Sequence, residues 1–325
     1  MDTPTNLDDR TRSAPKKKER ESTPRRKNPT ASKDQQVGDV VKNLIWLVTI
    51  CLLIFPAPGC DDGQVRFDKR SEFQRILVVD EGDKRYLRFG KADSGNQSTM
   101  SISDPQAVAV EYIRFSLLGM LMIPRRERVL MIGLGGGTFT TLLRRHYPDL
   151  WIDAVEIDPV VVEAARRFFG VQEDNRFRIH VGDGAKFIRK TPHEYDLIFL
   201  DAYSGEGLPP ELVSPVFFAA VKEKLAEQGV VIINLWDQGL REGVLAGRFR
   251  EVFPQTACIR STDGYNLVLF GKETAMPAAI HLVEAARRFT SEADLSFDLA
   301  EVADGLTMEC PPRGINSMET RMGIR

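Results

Sequence analysis

The sequence holds only four histidines in 325 residues, His146, His180, His193 and His281. No two of them stand at the i, i+4 spacing of a helical metal site, so no metal centre is expected. The four cysteines, Cys51, Cys60, Cys258 and Cys310, lack metal-ligand spacing and are too few for a scaffold stapled by disulfides. There is no G-x-x-x-x-G-K-[ST] loop, which excludes a P-loop kinase or ATPase. There is no G-x-S-x-G elbow either, since Ser204 stands in S-G-E-G. No apolar run reaches the roughly 20 residues that a bilayer-spanning helix needs. A net charge of −2 is of the wrong sign for a dedicated nucleic-acid binder, and no such partner is expected. What remains is 42% apolar and 28% charged residues with 25 Gly and 18 Pro, the make-up of a globular chain.

That small net charge conceals an asymmetry. Residues 1–43 carry 11 Lys/Arg against 7 Asp/Glu and show no apolar periodicity. Such a segment buries too little apolar surface to offset its ordering entropy, and a disordered basic tail is expected. Residues 44–55 (LIWLVTICLLIF) are twelve apolar or uncharged positions, the length of a signal-peptide core. Pro56-Ala57-Pro58-Gly59-Cys60 follows and resembles a bacterial lipoprotein cleavage site, although Ala57 stands where Leu is usual. Residues 44–60 therefore read as a signal or anchor segment, and the protein as membrane-associated at the inner membrane or by a lipoprotein-like anchor. The side is open. The basic tail favours a cytoplasmic N-terminus, which places everything after Cys60 outside.

The folded part is expected from about residue 66. Residues 73–79 and 85–89 read as strands joined by Asp80-Glu81-Gly82-Asp83, and 104–121 as a helix. Together they make residues 66–123 a small N-terminal β-region. From Arg128 strands and helices alternate, the signature of an α/β fold with a parallel or mixed sheet. Strands are expected at 128–133, 151–156, 177–181, 195–201, 229–235, 256–259 and 267–270. Helices are expected at 138–147, 159–169, 214–227, 241–252 and 278–289. A Rossmann-like domain over 124–272 and a C-terminal helix and tail over 273–325 complete the division.

The chemistry concentrates at strand ends. The first strand of the alternating part runs into Gly133-Leu134-Gly135-Gly136-Gly137-Thr138, where glycines allow a sharp turn and the next helix offers unpaired N–H groups. Glu156 ends the second strand, 19 residues after Gly137, where an acid accepts from ribose hydroxyls. Asp183-Gly184 follows the third strand, suited to an adenine amino group with room for the ring. Asp201 ends the fourth, at the carboxyl edge where open sheets bind ligands. One acid at such an end commonly caps the next helix; three beside a glycine turn point to a nucleoside. The G-x-G-x-G spacing followed by Glu156 and Asp183-Gly184 resembles S-adenosylmethionine-dependent transferases, with a Rossmann-like, methyltransferase-type sheet.

Within that group, RVLMIGLGGG, AVEIDP, VGDGAKFI and YDLIFLDAYSGEGLPPEL together resemble the spermidine synthase (polyamine aminopropyltransferase) family over residues 70–271. The resemblance implies a strand-rich N-terminal domain on a Rossmann-like domain, often as a homodimer. It implies decarboxylated S-adenosylmethionine as donor and a polyamine such as putrescine as acceptor. It places Gln74, Gln97, Gly133, Gly135, Gly137, Glu156, Asp183 and Gly184 around the nucleoside, and the reaction centre in the loop from Asp201.

Three departures stand against this. The family's GGGDG turn has its Asp where this chain has Gly136, which leaves room for the carboxylate of intact S-adenosylmethionine. The family's catalytic second Asp after the fourth strand is Ser204, which is no general base at neutral pH. Its Tyr-His-Glu stretch corresponds to Val108-Ala109-Val110. Asp201 and Asp237 are the acids left to hold the acceptor amine, with Glu206 and Glu211 nearby and Tyr203 and Trp236 as aromatic walls. Methyl transfer from S-adenosylmethionine and a non-catalytic nucleoside-binding role are the alternatives.

Overall fold

The computed structural model describes residues 63–91, 94–204, 207–236 and 240–308, without the side chains of 240–242. The basic tail, the segment 44–60, Glu206 and Asp237 lie outside the described residues.

Four antiparallel strands form the first sheet: β1 (Gln64–Arg70), β2 (Arg75–Glu81), β3 (Lys84–Phe89) and β4 (Asn96–Ser101), in that order. β2 and β3 are the anticipated pair. β2 is shifted two residues towards the turn and β3 starts one residue earlier than expected, because pairing runs from Ile76–Phe89 to Glu81–Lys84 and leaves only Gly82-Asp83 as the turn. β1 and β4 were not apparent in the sequence. Their residues are mostly exposed or half-exposed, so neither shows a long apolar alternation.

The expected helix over 104–121 is instead a turn and two short helices. Asp104 closes the turn, accepting from Gln106 N–H at 3.1 Å through its side chain and from Ala107 N–H at 3.0 Å through its carbonyl. Helices α1 (Glu111–Ser116) and α2 (Leu118–Leu121) follow, and their apolar side chains enter the core of the main sheet.

The main sheet has seven strands in the order β10-β11-β9-β8-β5-β6-β7. They are β5 (Arg128–Ile132), β6 (Trp151–Glu156), β7 (Phe177–Val181), β8 (Tyr195–Leu200), β9 (Leu225–Trp236), β10 (Gln255–Arg260) and β11 (Asn266–Lys272). β5 to β9 are mutually parallel, and β11 runs antiparallel between β9 and β10. The fold is thus α/β and Rossmann-like with a mixed sheet. β9 begins at Leu225, inside the expected helix over 214–227, because Leu225 pairs with Tyr195 before the register shifts near Gly229.

Helices on both faces are started by their own sequence. In α4 (Pro159–Phe168), Asp158 accepts from Val160 N–H and Pro159 fills the first turn. Asp183 does the same for α5 (Gly184–Lys190), and Ser214 for α6 (Pro215–Glu223). The remaining helices are α3 (Thr138–His146), α7 (Leu240–Val252), α8 (Ala279–Glu292) and α9 (Leu299–Asp304). α9 was not assigned from sequence. Beyond it Thr307 pairs with Cys258, a buried residue that is disulfide-bonded.

The two sheets meet across α4. Phe67, Ile76, Val78 and Leu87 of the small sheet pack on Val160, Val161 and Ala164 of that helix. Lys69 pairs with Glu163 at 2.7 Å, and Arg85 donates to Phe168 O at 2.9 Å. Asp80 receives both Arg66 and Arg85, which hold its carboxyl below the usual range. This docking suspends β4 and the β1–β2 turn over the carboxyl ends of the main strands. Among the described residues no helix is long and apolar enough to cross a membrane.

Candidate active site

The carboxyl ends of β5 to β9, the β1–β2 turn and β4 enclose a cleft of about 500 Å³. Gly133 makes it possible. Its φ of 92° is open to glycine, and a Cβ there would stand 2.2 Å from the Asp201 carbonyl oxygen. The turn after β5 and the end of β8 therefore touch.

Glu156 lies beneath that turn and is almost fully buried. Its Oε2 accepts from Leu134 N–H at 2.9 Å and its Oε1 from Asp158 N–H at 3.1 Å. Burial raises its pKa, and these backbone donors, with Gly135 N–H, partly offset that. Two carboxylate oxygens carry about four acceptor positions, so capacity remains for ligand hydroxyls.

Asp183 serves as a helix cap as well as a wall of the cleft. Its Oδ1 accepts from Ala185 N–H at 2.8 Å and Lys186 N–H at 3.1 Å. Gly184 lines the cleft too, but its missing side chain serves packing: a Cβ would stand 2.5 Å from Ile132 Cγ2. Gly135 lines the cleft. Gly137 does not, and a Cβ there would meet Val171 at 2.4 Å.

The N-terminal sheet supplies the opposite wall. Gln74 and Gln97 both line the cleft. The turn bearing Gln74 is fixed by Ser71, whose Oγ donates to Asp158 Oδ2 at 2.6 Å and accepts from Phe73 and Gln74 N–H at 3.1 Å. Ser98, which the sequence did not single out, accepts from Gly136 N–H at 2.8 Å. It fills the room expected at Gly136, where a Cβ would stand 2.8 Å from Ser98 Cβ and 3.0 Å from Phe169.

At the other end, Asp201 sits in a network that sequence reasoning missed. Asn234 Nδ2 donates to its Oδ1 at 3.0 Å, and Asn266 Nδ2 donates to Asn234 Oδ1 at 3.0 Å. Tyr112 also hydrogen-bonds Asp201. Burial pushes the Asp201 pKa up to about 6 despite these donors, and raises that of Tyr112 well above its ordinary value. Tyr112 lies two residues past Val110, so an aromatic hydroxyl reaches the cleft from α1 although the stretch 108–110 is apolar.

Tyr203 and Trp236 wall the cleft as expected. Tyr203 OH donates to Asn234 O at 2.6 Å and accepts from Trp236 N–H at 2.6 Å, with the rings edge-on at 6.4 Å. Ser204 lines the cleft, and its Oγ donates to Gly207 O at 3.1 Å in a small closed turn. Glu211 stands at the exposed rim. Among the described residues no group of three or more His, Cys, Asp or Glu side chains is placed to hold a metal ion.

The chain is similar to known proteins in sequence and in fold. The Spermine/spermidine synthase domain family matches residues 114–243. A polyamine aminopropyltransferase of Vibrio vulnificus is 31% identical over 254 residues, covering 76% of this chain and 85% of that protein. A bovine (Bos taurus) eEF1A lysine and N-terminal methyltransferase is 33% identical over 187 residues, 51% of this chain and 27% of that protein. A spermidine synthase solved in complex with the transition-state analogue AdoDATO superposes with a TM-score of 0.61 at 23% identity, over 81% of this chain and 88% of that one.

Proposed function

The chain belongs to the spermidine synthase-like (polyamine aminopropyltransferase) family of transferases, and on that premise we propose that it moves the aminopropyl group of decarboxylated S-adenosylmethionine to an amine of a polyamine such as putrescine. The observation that carries this reading is the single cleft joining Glu156 and Asp183 at one end to Asp201 at the other. The nucleoside rests against Glu156, Asp183, Gln74 and Gln97. The acceptor amine lies between Asp201, Tyr203 and Trp236. Its nitrogen forms a bond to the carbon beside sulfur as the carbon–sulfur bond breaks, giving methylthioadenosine, and its proton passes to Asp201. A carboxylate poised near pH 6 both holds an ammonium and accepts a proton, which a serine at position 204 does not do.

Methyl transfer from intact S-adenosylmethionine is the second reading. It is favoured by the neutral pair Gly136 and Ser98 where the family carries an acid, and by the similarity to the bovine methyltransferase. An anionic side chain there repels the methionine carboxylate; the Ser98 hydroxyl donates to it. Incubation of the full-length protein with putrescine and each donor in turn, read by mass spectrometry, decides. Spermidine and methylthioadenosine support the first reading. S-adenosylhomocysteine supports the second. Nucleoside binding with neither product leaves a non-catalytic homologue.

A further inference from the structure

Beside the nucleoside cleft, at the edge of the main sheet, a second depression of about 680 Å³ opens between β7 and α5. It gathers Arg128, Arg176, Arg178, Lys186 and Lys190 against two carboxylates, Asp153 and Asp183. Both acids are already engaged. Asp153 meets His180 Nε2 at 2.8 Å, Tyr195 OH at 3.2 Å and Arg128 at 3.4 Å. Asp183 caps α5.

Two of the cations are held in place by an aromatic ring. Arg128 and Arg176 stack on Trp151 with their guanidinium carbons 5.3 and 5.5 Å from its centroid. Arg176 also donates to Asp149 O and lies 3.6 Å from the exposed Asp149 carboxylate, and stacking leaves the rest of each guanidinium fork to donate. Arg178 and Lys190 are exposed, and among the described residues their side chains have no hydrogen bond or ion pair. Like charges concentrated in one concave site repel one another until an anion enters, and the same concentration raises the local anion concentration.

The edge strand does not invite a partner strand. Ile179 N–H donates to Glu173 Oε1 and Phe177 N–H to Asp174 Oδ1, each at 2.8 Å, so two of its outward donors are closed. The volume is that of a small-ligand site.

We propose that this depression binds a small ligand carrying two or more phosphate groups, which Arg176 and Arg178 grip with their forked donors and Lys186 and Lys190 neutralise from α5. The site communicates with the cleft. Val155, Gly182 and Asp183 wall both, and Lys186 Nζ lies 3.6 Å from Asp183 Oδ2. An anion that draws Lys186 away unmasks Asp183 towards the nucleoside, so anion and nucleoside bind cooperatively. The cooperativity rests on the nucleoside reading above; the anion site itself does not.

Titration of the full-length protein with sodium tripolyphosphate by calorimetry at low ionic strength tests the site. Saturable one-to-one binding is expected, weakened roughly tenfold or more by Arg178→Ala with Lys190→Ala, the scale of one lost charge-assisted hydrogen bond. Both side chains are exposed and make no hydrogen bond or ion pair among the described residues, so the melting temperature should hardly move; Arg178→Gln alone repeats the test if it does. Arg288→Ala, in a separate groove beside Phe289, should keep wild-type affinity. Equal binding by all variants, or no saturable binding, overturns the proposal. So does a single-stranded RNA oligonucleotide that binds through Arg178 and Lys190 where tripolyphosphate does not, because the groove then reads a nucleic-acid backbone. Methylthioadenosine affinity, measured with and without tripolyphosphate, reports the cooperativity separately.

Discussion

Gly133 and Asp201 are in backbone contact: a Cβ on Gly133 would stand 2.2 Å from the Asp201 carbonyl oxygen. Asp201 N–H also donates to Ile132 O at 2.9 Å, so the glycine turn after β5 and the residue that ends β8 form one rigid piece. Gly133→Ala must push the two apart and strain a φ of 92°. It should cost more than about 1 kcal/mol in stability and weaken methylthioadenosine binding. Chemical denaturation and calorimetry check both; an unchanged midpoint with unchanged affinity contradicts the contact.

The titration of Asp201 should appear in catalysis. With its pKa pushed up to about 6, the carboxylate form grows in as pH rises through that value, and kcat/KM should rise with it. Asn234→Ala removes a donor that favours the ionised form, so the midpoint should move upward. A profile without a limb near pH 6, or one that Asn234→Ala leaves in place, removes Asp201 from the proton path.

Stability carries the opposite sign. A carboxyl whose folded pKa is raised from 3.8 to about 6 stabilises the fold fully only below pH 3.8, and that contribution is lost as pH rises through 6. The loss above pH 7 is at most about 3 kcal/mol. Asp201→Asn should therefore make the protein more stable at neutral pH while removing turnover. A variant that is less stable at pH 7.5 speaks against a carboxylate desolvated at this position.

Glu156→Ala deletes the acceptor beneath the glycine turn and leaves the N–H groups of Leu134 and Asp158 without it. Affinity for methylthioadenosine should fall by roughly 10–150-fold, the worth of a charge-assisted hydrogen bond. Calorimetry reads it directly, and equal affinities would displace the nucleoside from this end of the cleft.

Restoring the family's acid should fail here. Gly136→Asp places a Cβ 2.8 Å from Ser98 and 3.0 Å from Phe169, in space the serine already fills. Turnover with decarboxylated S-adenosylmethionine should drop in the single variant and recover when Ser98→Gly is added. A gain from Gly136→Asp alone would show that the turn yields more readily than its packing implies.

Location remains a proposal with two supports. The apolar run 44–55 reads as an anchor, and Cys258 is disulfide-bonded, a state that persists in oxidising compartments. A cytosolic donor sits poorly with a domain held outside. Phosphatase fused to the C-terminus is expected to be active if the domain lies outside, and a fluorescent-protein fusion if it lies inside. A protein recovered in the soluble fraction with residues 1–60 intact would refute the anchor.

The strand–helix alternation after Arg128 and the acids at strand ends were legible because period and position carry them. β1 and β4 were not, since a strand exposed along most of its length shows no alternation. Tyr112, Asn234 and Asn266 escaped notice for a different reason. An amide on β11 acts on one on β9, which acts on a carboxylate after β8, and only the sheet order makes them neighbours. Asp183 shows the limit of a motif: capping a helix and lining a cleft are one position, and the sequence presents them as competing readings.

The docking of the small sheet on α4 also dictates an order of events. Lys69 and its partner Glu163 are 94 residues apart in sequence. During synthesis the four strands leave the ribosome first, with their apolar face bare, and have nothing to settle on until α4 has emerged. The wall that carries Gln74, Gln97 and Ser98 is therefore completed late. A chain interrupted before residue 169 presents a sticky, half-made hairpin sheet to whatever chaperone or membrane surface is nearest.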